Sequence, residues 1–311
     1  MAGDSRLDDC LSTRGGRLCV EDCDTLQLLD RFGSPLFVLS EDQLRRNVRR
    51  FQQAFQAGWP SGSVKVLPAA KANWIAAVQR ILADEGCGCD VYSAGELTVA
   101  LDAGFDRDLI SVNGVPQDPS HIERAIREGV RLTIDSVEEV AVIEHAASEL
   151  GATARVRLRL KPAMPGFTVH SDFVAEGLVP TDLAALAYKG GLSFDDVVAI
   201  GRRILAMPGV ELVGFHQHHG RHHRSTKYWR EQMRTYAAEI ARVCEALGGY
   251  RPQEIDIGGG FAIPRDPFNA VTDYTEPIQL GALFALSKAL RVLGSDRRYR
   301  ALARLVDTLV T

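Results

Sequence analysis

Val64-Lys65-Val66-Leu67-Pro68-Ala69-Ala70-Lys71-Ala72-Asn73-Trp74 is a short apolar run that ends in two alanines and one lysine. Valines dominate it and a helical pattern starts only after Asn73, so it reads as a buried strand. Lys71 then stands at the carboxyl end of a strand, where parallel α/β folds place their chemistry. A lysine among apolar and small residues is expected to be poorly solvated, which favours its neutral amine. A neutral amine attacks carbonyls and can form a Schiff base. A lysine that simply snorkels from a strand end into solvent is the alternative on this stretch alone.

The rest of the chain supplies the context. Its 311 residues are 46% hydrophobic and 24% charged, the composition of a soluble globular protein with a sizeable core. That length fits one large α/β barrel or two smaller domains. A net charge of -4 gives no reason to expect nucleic acid or an anionic membrane as partner. There is no apolar run of about 18 residues, and residues 1–9 are polar and acidic, so neither a membrane span nor a signal peptide is expected. A cytoplasmic location is the matching expectation. The six cysteines lack zinc-finger or ribbon spacing and are expected as free thiols, with no metal held.

Residues 1–16 are expected to be loosely attached, followed by a short strand at 17–20, a helix at 24–31 and a strand at 36–39. Ser40 and Gln43 form a capping-box pattern that opens a helix over 41–56, with Leu44, Val48, Phe51 and Phe55 at helical spacing. After the Lys71 strand, strands are expected at 90–93, 109–112, 131–134, 155–160, 212–215 and 254–257. Helices are expected at 95–103, 119–128, 136–150 and 228–247. Gly104, Gly129, Gly151 and Gly248 stand where those helices should stop. Repeated strand-helix units with short links argue for a parallel sheet in a barrel or a doubly wound form. Counting from the Lys71 strand gives seven strands, one short of an eight-stranded barrel. Residues 161–192 form a longer loop bearing proline and glycine.

Three groups of residues are candidates for chemistry. Gly258, Gly259 and Gly260 directly follow the last strand, and successive glycines let backbone N–H groups converge on an anion; a plain tight turn is the alternative. Five of the eight histidines lie in His216-Gln217-His218-His219-Gly220-Arg221-His222-His223, also after a strand. A metal site and an imidazole stacked on a flat cofactor ring both fit that placement. Asp90 and Glu96 flank a turn, where Glu96 either favours a helix N-terminus or sits near the reacting amine. Arg159 ends a strand, either as a surface charge or facing the site.

In this order the pieces resemble the fold-type III pyridoxal-phosphate enzymes. The branch they resemble is the diaminopimelate, ornithine and arginine decarboxylase family, whose fold is that of alanine racemase. The resemblance runs from about Arg17 to Phe261 and rests on six motifs. These are Gly33-Ser34-Pro35-Leu36-Phe37-Val38, Ala70-Lys71-Ala72-Asn73, Cys89-Asp90-Val91-Tyr92-Ser93-Ala94-Gly95-Glu96-Leu97, Lys189-Gly190-Gly191-Leu192, Gly214-Phe215-His216-Gln217-His218 and Asp256-Ile257-Gly258-Gly259-Gly260-Phe261. It implies a (β/α)8 barrel over 36–311 that binds pyridoxal 5'-phosphate, with residues 1–35 contributing to a second, β-rich domain. It implies a Schiff base on Lys71, His218 stacked on the pyridine, and Gly258, Gly259 and Gly260 around the phosphate. Asp90, Glu96 and Arg159 would line the site, with His216 beside it. Gly220-Arg221 or His219-Gly220 stands where the family often has Gly-Ser, which makes Arg221 a candidate phosphate contact. The family's acidic-Pro-Gly-Arg strand has no counterpart, since Glu276-Pro277 lacks the following Gly-Arg. The eighth strand and the C-terminal β-domain are therefore expected to be missing, as in a truncated product or the front part of a longer chain. The implied activity is decarboxylation of an amino acid, most closely diaminopimelate, in a homodimer. A racemase or epimerase on the same barrel and an inactive relative that binds only cofactor or a partner remain as alternatives.

Overall fold

In the computed structural model, residues 10–114, 118–161, 190–218 and 226–261 are described. The chain forms two compact units. The first comprises Met1–Ile134, Glu138–Val156 and Met207–Glu211, and the second Asp135–Val137, Arg157–Ala206 and Leu212–Thr311.

The first unit opens with a small antiparallel sheet, β1 Leu11–Arg14, β2 Arg17–Val20 and β3 Cys23–Asp24. This corrects the expectation of a loose segment for residues 10–16; residues 1–9 lie outside the described residues. Gly15 and Gly16 adopt φ 56° and 77°, the two left-handed positions of a two-residue hairpin turn, and Arg14 pairs with Arg17 across it. Helix α1, Thr25–Phe32, follows with Asp24 as its N-cap, and α2, Glu41–Gly58, starts at Ser40, whose hydroxyl accepts the Gln43 N–H at 3.0 Å. The strand expected at 36–39 does not form. Those residues make no ladder, and Phe37, Val38 and Leu39 are exposed.

The segment 64–69 leads the main sheet without regular strand geometry. Gly88 N–H bonds to Val66 O at 2.9 Å and Asp90 N–H to Pro68 O at 3.1 Å, and Ala69 bridges to Asp90 in parallel. Pro68 has no N–H to return, so the ladder is interrupted there. Helix α3, Ala76–Asp84, leads to β4, Cys89–Val91; α4, Ala94–Ala103, to β5, Ile110–Val112; α5, Pro119–Glu128, to β6, Arg131–Ile134; and α6, Glu139–Leu150, to β7, Ala154–Arg159. Strands β4, β5 and β6 run parallel, Cys89 beside Ile110 and Ser111 beside Arg131. Strand β5 is buried along its whole length, as expected of a strand covered on both faces. Gly104, Gly129 and Gly151 close α4, α5 and α6 as expected.

Strand β7 carries on into the second unit. That unit holds β9, Glu254–Asp256, and β8, Val210–His216, from Leu212 on, paired in parallel with Gly214 opposite Glu254 and His216 opposite Asp256. Two helices belong to this unit: α7, Phe194–Leu205, and α8, Thr226–Ala246. The sequence reading did not pick out α7, although Ser193 caps it and Val197, Ile200, Gly201 and Ile204 are buried at helical spacing. The expected absence of an eighth strand and C-terminal β-domain concerns residues 262–311 and beyond, outside the described residues. The loop over 162–189 and His219 to Arg221 lie outside them too. All six cysteines are free thiols. No helix among the described residues is long and apolar enough to cross a membrane.

Candidate active site

In the first unit, Lys71 lies in a 3-10 turn, Ala70–Ala72, which is closed by Ala72 N–H to Ala69 O at 3.0 Å and Asn73 N–H to Ala70 O at 3.1 Å. Successive residues of such a turn point about 120° apart. Ala70 turns inward, 1% exposed, and Lys71 turns outward. This corrects the expectation of a desolvated amine: the flanking alanines are neighbours in sequence, but the turn carries the lysine to the exposed side. The segment is anchored by Gln79, a buried residue that sequence reasoning missed. Its amide donates to Asn73 O at 2.6 Å and accepts from Cys89 Sγ at 3.5 Å, tying the Lys71 turn to α3 and β4. Burial pushes the Cys89 thiol up to about 12, so it stays protonated and inert.

Asp90, half-buried on β4, accepts a short hydrogen bond from the Asn113 side-chain amide, which also donates to Ser111 Oγ at 3.2 Å. Glu96 serves the start of α4. Its carboxylate accepts Tyr92 N–H at 2.7 Å, and its own N–H donates to Ser93 Oγ at 3.3 Å. Ser93 thus caps the helix while Glu96 reaches back to the N–H of the residue before the cap, in keeping with the local reading of this residue as a helix-start carboxylate.

In the second unit the glycine loop is closed on its own chain. Gly258 N–H donates to Asp256 Oδ1 at 2.8 Å, and Gly259 N–H donates to His218 Nδ1 at 3.2 Å. The donors that the sequence reading took as bare are thus engaged at two of the three glycines. Gly258 has φ 65°, and a Cβ there would stand 2.2 Å from Gln217 O. At Gly259 a Cβ would meet nothing within 4 Å, so open space faces the loop. As an acceptor, His218 Nδ1 carries no proton, which places the ring's proton on Nε2.

His216, 5% exposed, ends β8. Burial drives its pKa down to about 3, so it is a neutral imidazole near pH 7. Its neighbour Gln217 is fully buried, and neither amide atom finds a partner among the described residues.

Three arginines alternate along β7, and each has an aspartate. Arg155 pairs with Asp108, Arg157 with Asp256 at 2.5 Å, and Arg159 with Asp135. The Arg157 side chain is 3% exposed and that of Arg159 11%. Burial works against the charge on Asp256, yet its carboxyl lies below the usual range. With His216 neutral, the Arg157 guanidinium and the Gly258 N–H are what hold that charge. The sequence reading singled out Arg159 but gave no role to Arg157, Asp256 or Asp135. The signal was present in Arg155-Val156-Arg157-Leu158-Arg159, because alternation puts all three cations on one face and a buried strand obliges each to find an anion.

Comparison with known proteins places this geometry. Residues 41–292 match the family described as pyridoxal-dependent decarboxylase, pyridoxal binding domain. The chain belongs to this family. It is similar to the diaminopimelate decarboxylase of Methanocaldococcus jannaschii, 31% identical over 263 residues that cover 83% of this chain and 57% of that protein. The diaminopimelate decarboxylase of Zymomonas mobilis is 30% identical over 255 residues, covering 81% of this chain and 57% of that one. Among solved structures, a crystal structure of the M. jannaschii enzyme matches with a TM-score of 0.77 at 28% identity, over 89% of this chain and 63% of that chain. The same enzyme in complex with L-lysine matches with a TM-score of 0.75 at 26% identity, over 88% of this chain and 64% of that chain. The chain thus spans little more than half the length of these relatives. The residues of this pyridoxal-binding domain fit a phosphorylated pyridine. The glycine loop leaves open space at Gly259, and the exposed amine of Lys71 is accessible to a carbonyl.

Proposed function

We propose that the protein is a pyridoxal-phosphate-dependent decarboxylase of a diamino acid, with diaminopimelate as the substrate that the named relatives indicate. The observation that carries this reading is an exposed lysine in a 3-10 turn and a glycine loop that follows β9, in a chain that matches the family's pyridoxal-binding domain from 41 to 292. Lys71 would hold the cofactor through its amine. The backbone of Gly258, Gly259 and Gly260 would hold the phosphate, with Arg221 as a further contact from outside the described residues. The His218 ring, oriented through Nδ1, would lie against the pyridine. Asp90 and Arg159, each held by a partner, Asn113 and Asp135, would line the site. When bound, the cofactor supplies an electron sink for the pair left as the α-carboxylate departs as carbon dioxide. His216, neutral by burial, would contribute packing and orientation in place of charge. Glu96 would act by fixing the turn that follows Asp90. We further propose residues 1–35 as a distinct N-terminal segment, 36–311 as the barrel part, and a cytoplasmic homodimer as the working form.

Two measurements test the reading. Borohydride reduction in the presence of pyridoxal phosphate, followed by peptide mapping, should place the label on Lys71; a label on Lys161 with Lys71 untouched would overturn the assignment. Carbon dioxide should be trapped from diaminopimelate in preference to lysine, ornithine or arginine. Inversion at the α-carbon without carbon dioxide would point to a racemase or epimerase.

A further inference from the structure

Arg157 is nearly sequestered, 3% exposed, yet it is not among the residues placed against the cofactor. Its Nη1 donates to Asp256 Oδ2 at 2.5 Å, which leaves Oδ1 to accept the Gly258 N–H at 2.8 Å. The same aspartate is pinned at its backbone, where its carbonyl accepts Gln217 N–H at 3.1 Å and the Tyr236 hydroxyl at 3.2 Å. Gly258 is wedged against Gln217 O, and Gly259 N–H reaches His218 Nδ1. A continuous set of contacts therefore runs from Arg157 through Asp256 to the glycine loop and on to His218. Remove the guanidinium and the Asp256 carboxylate must either take up a proton or turn toward water. In both cases Gly258 loses its charge-assisted acceptor. Arg159 does not substitute, because Asp135 engages it.

We infer that Arg157 is a positioning residue for the glycine loop: acting through Asp256, it fixes the loop's backbone donors and so sets discrimination between pyridoxal phosphate and unphosphorylated pyridoxal. This rests on the reading of the loop as the phosphate site. The test uses the full chain and the variants Arg157→Met and Arg157→Lys. Amide exchange at Gly258 and Gly259 is followed by NMR without cofactor, and affinities for pyridoxal phosphate and for pyridoxal are titrated separately. Arg157→Met should exchange faster at Gly258 and lose about tenfold in affinity for pyridoxal phosphate, the scale of one charge-assisted hydrogen bond. Pyridoxal affinity should stay unchanged, and Arg157→Lys, which keeps a cation against Asp256, should retain most of both properties. If Arg157→Met does not fold, the double variant Arg157→Met/Asp256→Val removes the pair together and should show the same two losses in a folded chain. Unaltered exchange at Gly258 overturns the inference, as does an equal loss for both compounds. If the unmodified chain binds neither compound, the cofactor reading fails, while the exchange data still decide whether Arg157 holds the loop.

Discussion

Replacing Gly259 by valine separates binding from folding, with Gly258→Val as its counterpart. A Cβ at Gly259 meets nothing within 4 Å, and the residue needs no left-handed backbone, so the fold should accept the side chain. The isopropyl group would then fill the space facing the loop and keep a phosphate from the backbone donors. Loss of one charge-assisted hydrogen bond is worth about 1.5–3 kcal/mol. That corresponds to pyridoxal phosphate binding roughly 10- to 150-fold more weakly. Gly258 is the opposite case, with φ 65° and a Cβ that would lie 2.2 Å from Gln217 O and 3.0 Å from His218 Cα. The left-handed backbone alone costs about 1–2 kcal/mol for a residue with a Cβ, and the clash with backbone atoms adds to it. Absorbance titration with cofactor and thermal melts without it give the two readouts. Gly259→Val should keep its melting temperature and lose affinity, whereas Gly258→Val should melt earlier. A folded Gly259→Val chain with undiminished affinity would refute the placement of the phosphate.

Other outcomes follow from the same contacts. Gly214→Ala would put a Cβ 1.9 Å from Glu254 O across the β8–β9 ladder, so the chain should melt several degrees lower or fail to fold; an unchanged melt would contradict that packing. His216 is lowered from 6.5 to about 3 and His121 is also lowered, both mainly by burial. The unfolded chain takes up these protons below pH 6.5 and the folded chain resists them, so stability should fall as pH drops from 6.5 toward 3. Urea titrations of His121→Leu should show a slope shallower by up to about 1.4 kcal/mol per pH unit just below 6.5, and an identical slope would remove His121 from the account. Glu85 is held down to about 2 by Arg49 and Arg45, and it clamps α2 to the end of α3. Its contribution is present above pH 4.5 and fades as pH falls through 2. Glu85→Gln should therefore destabilise the chain at pH 7 and converge with the parent in strong acid, as read by chemical denaturation.

The strand-helix alternation was readable because each unit announces itself locally. At α5, Asp118 caps, Pro119 starts and Gly129 stops the helix, and the expected 119–128 is the observed span. That β9 ends in a turn was readable too, since successive glycines punctuate a strand. The hairpin at Gly15-Gly16 contradicts the expectation that these glycines close a loosely attached segment, and a two-glycine link is a hairpin signal in itself. The exposure of Lys71 was readable only as one of two alternatives. It depends on a 3-10 turn that forms where Pro68 interrupts the ladder, and composition does not report which way one residue of a turn points. The engagement of Gly258 and Gly259 was hidden for a similar reason. Their acceptors are Asp256 two residues back and His218 41 residues back, and only folding brings the latter to the loop.

The alternating arginines of β7 have a consequence for how such a chain can change over generations. Arg157 and Asp256 stand 99 residues apart, yet exchanging Arg157 alone strips the half-buried Asp256 carboxylate of its guanidinium, and exchanging Asp256 alone leaves the buried Arg157 only Glu254, at 3.6 Å. That intermediate costs about 3–5 kcal/mol, a large part of the 5–15 kcal/mol by which a typical domain is stable. A lineage can keep both or lose both, but the path through either single change passes near the unfolding threshold. Two distant codons are thereby inherited as one character, and divergence at this strand proceeds by paired steps.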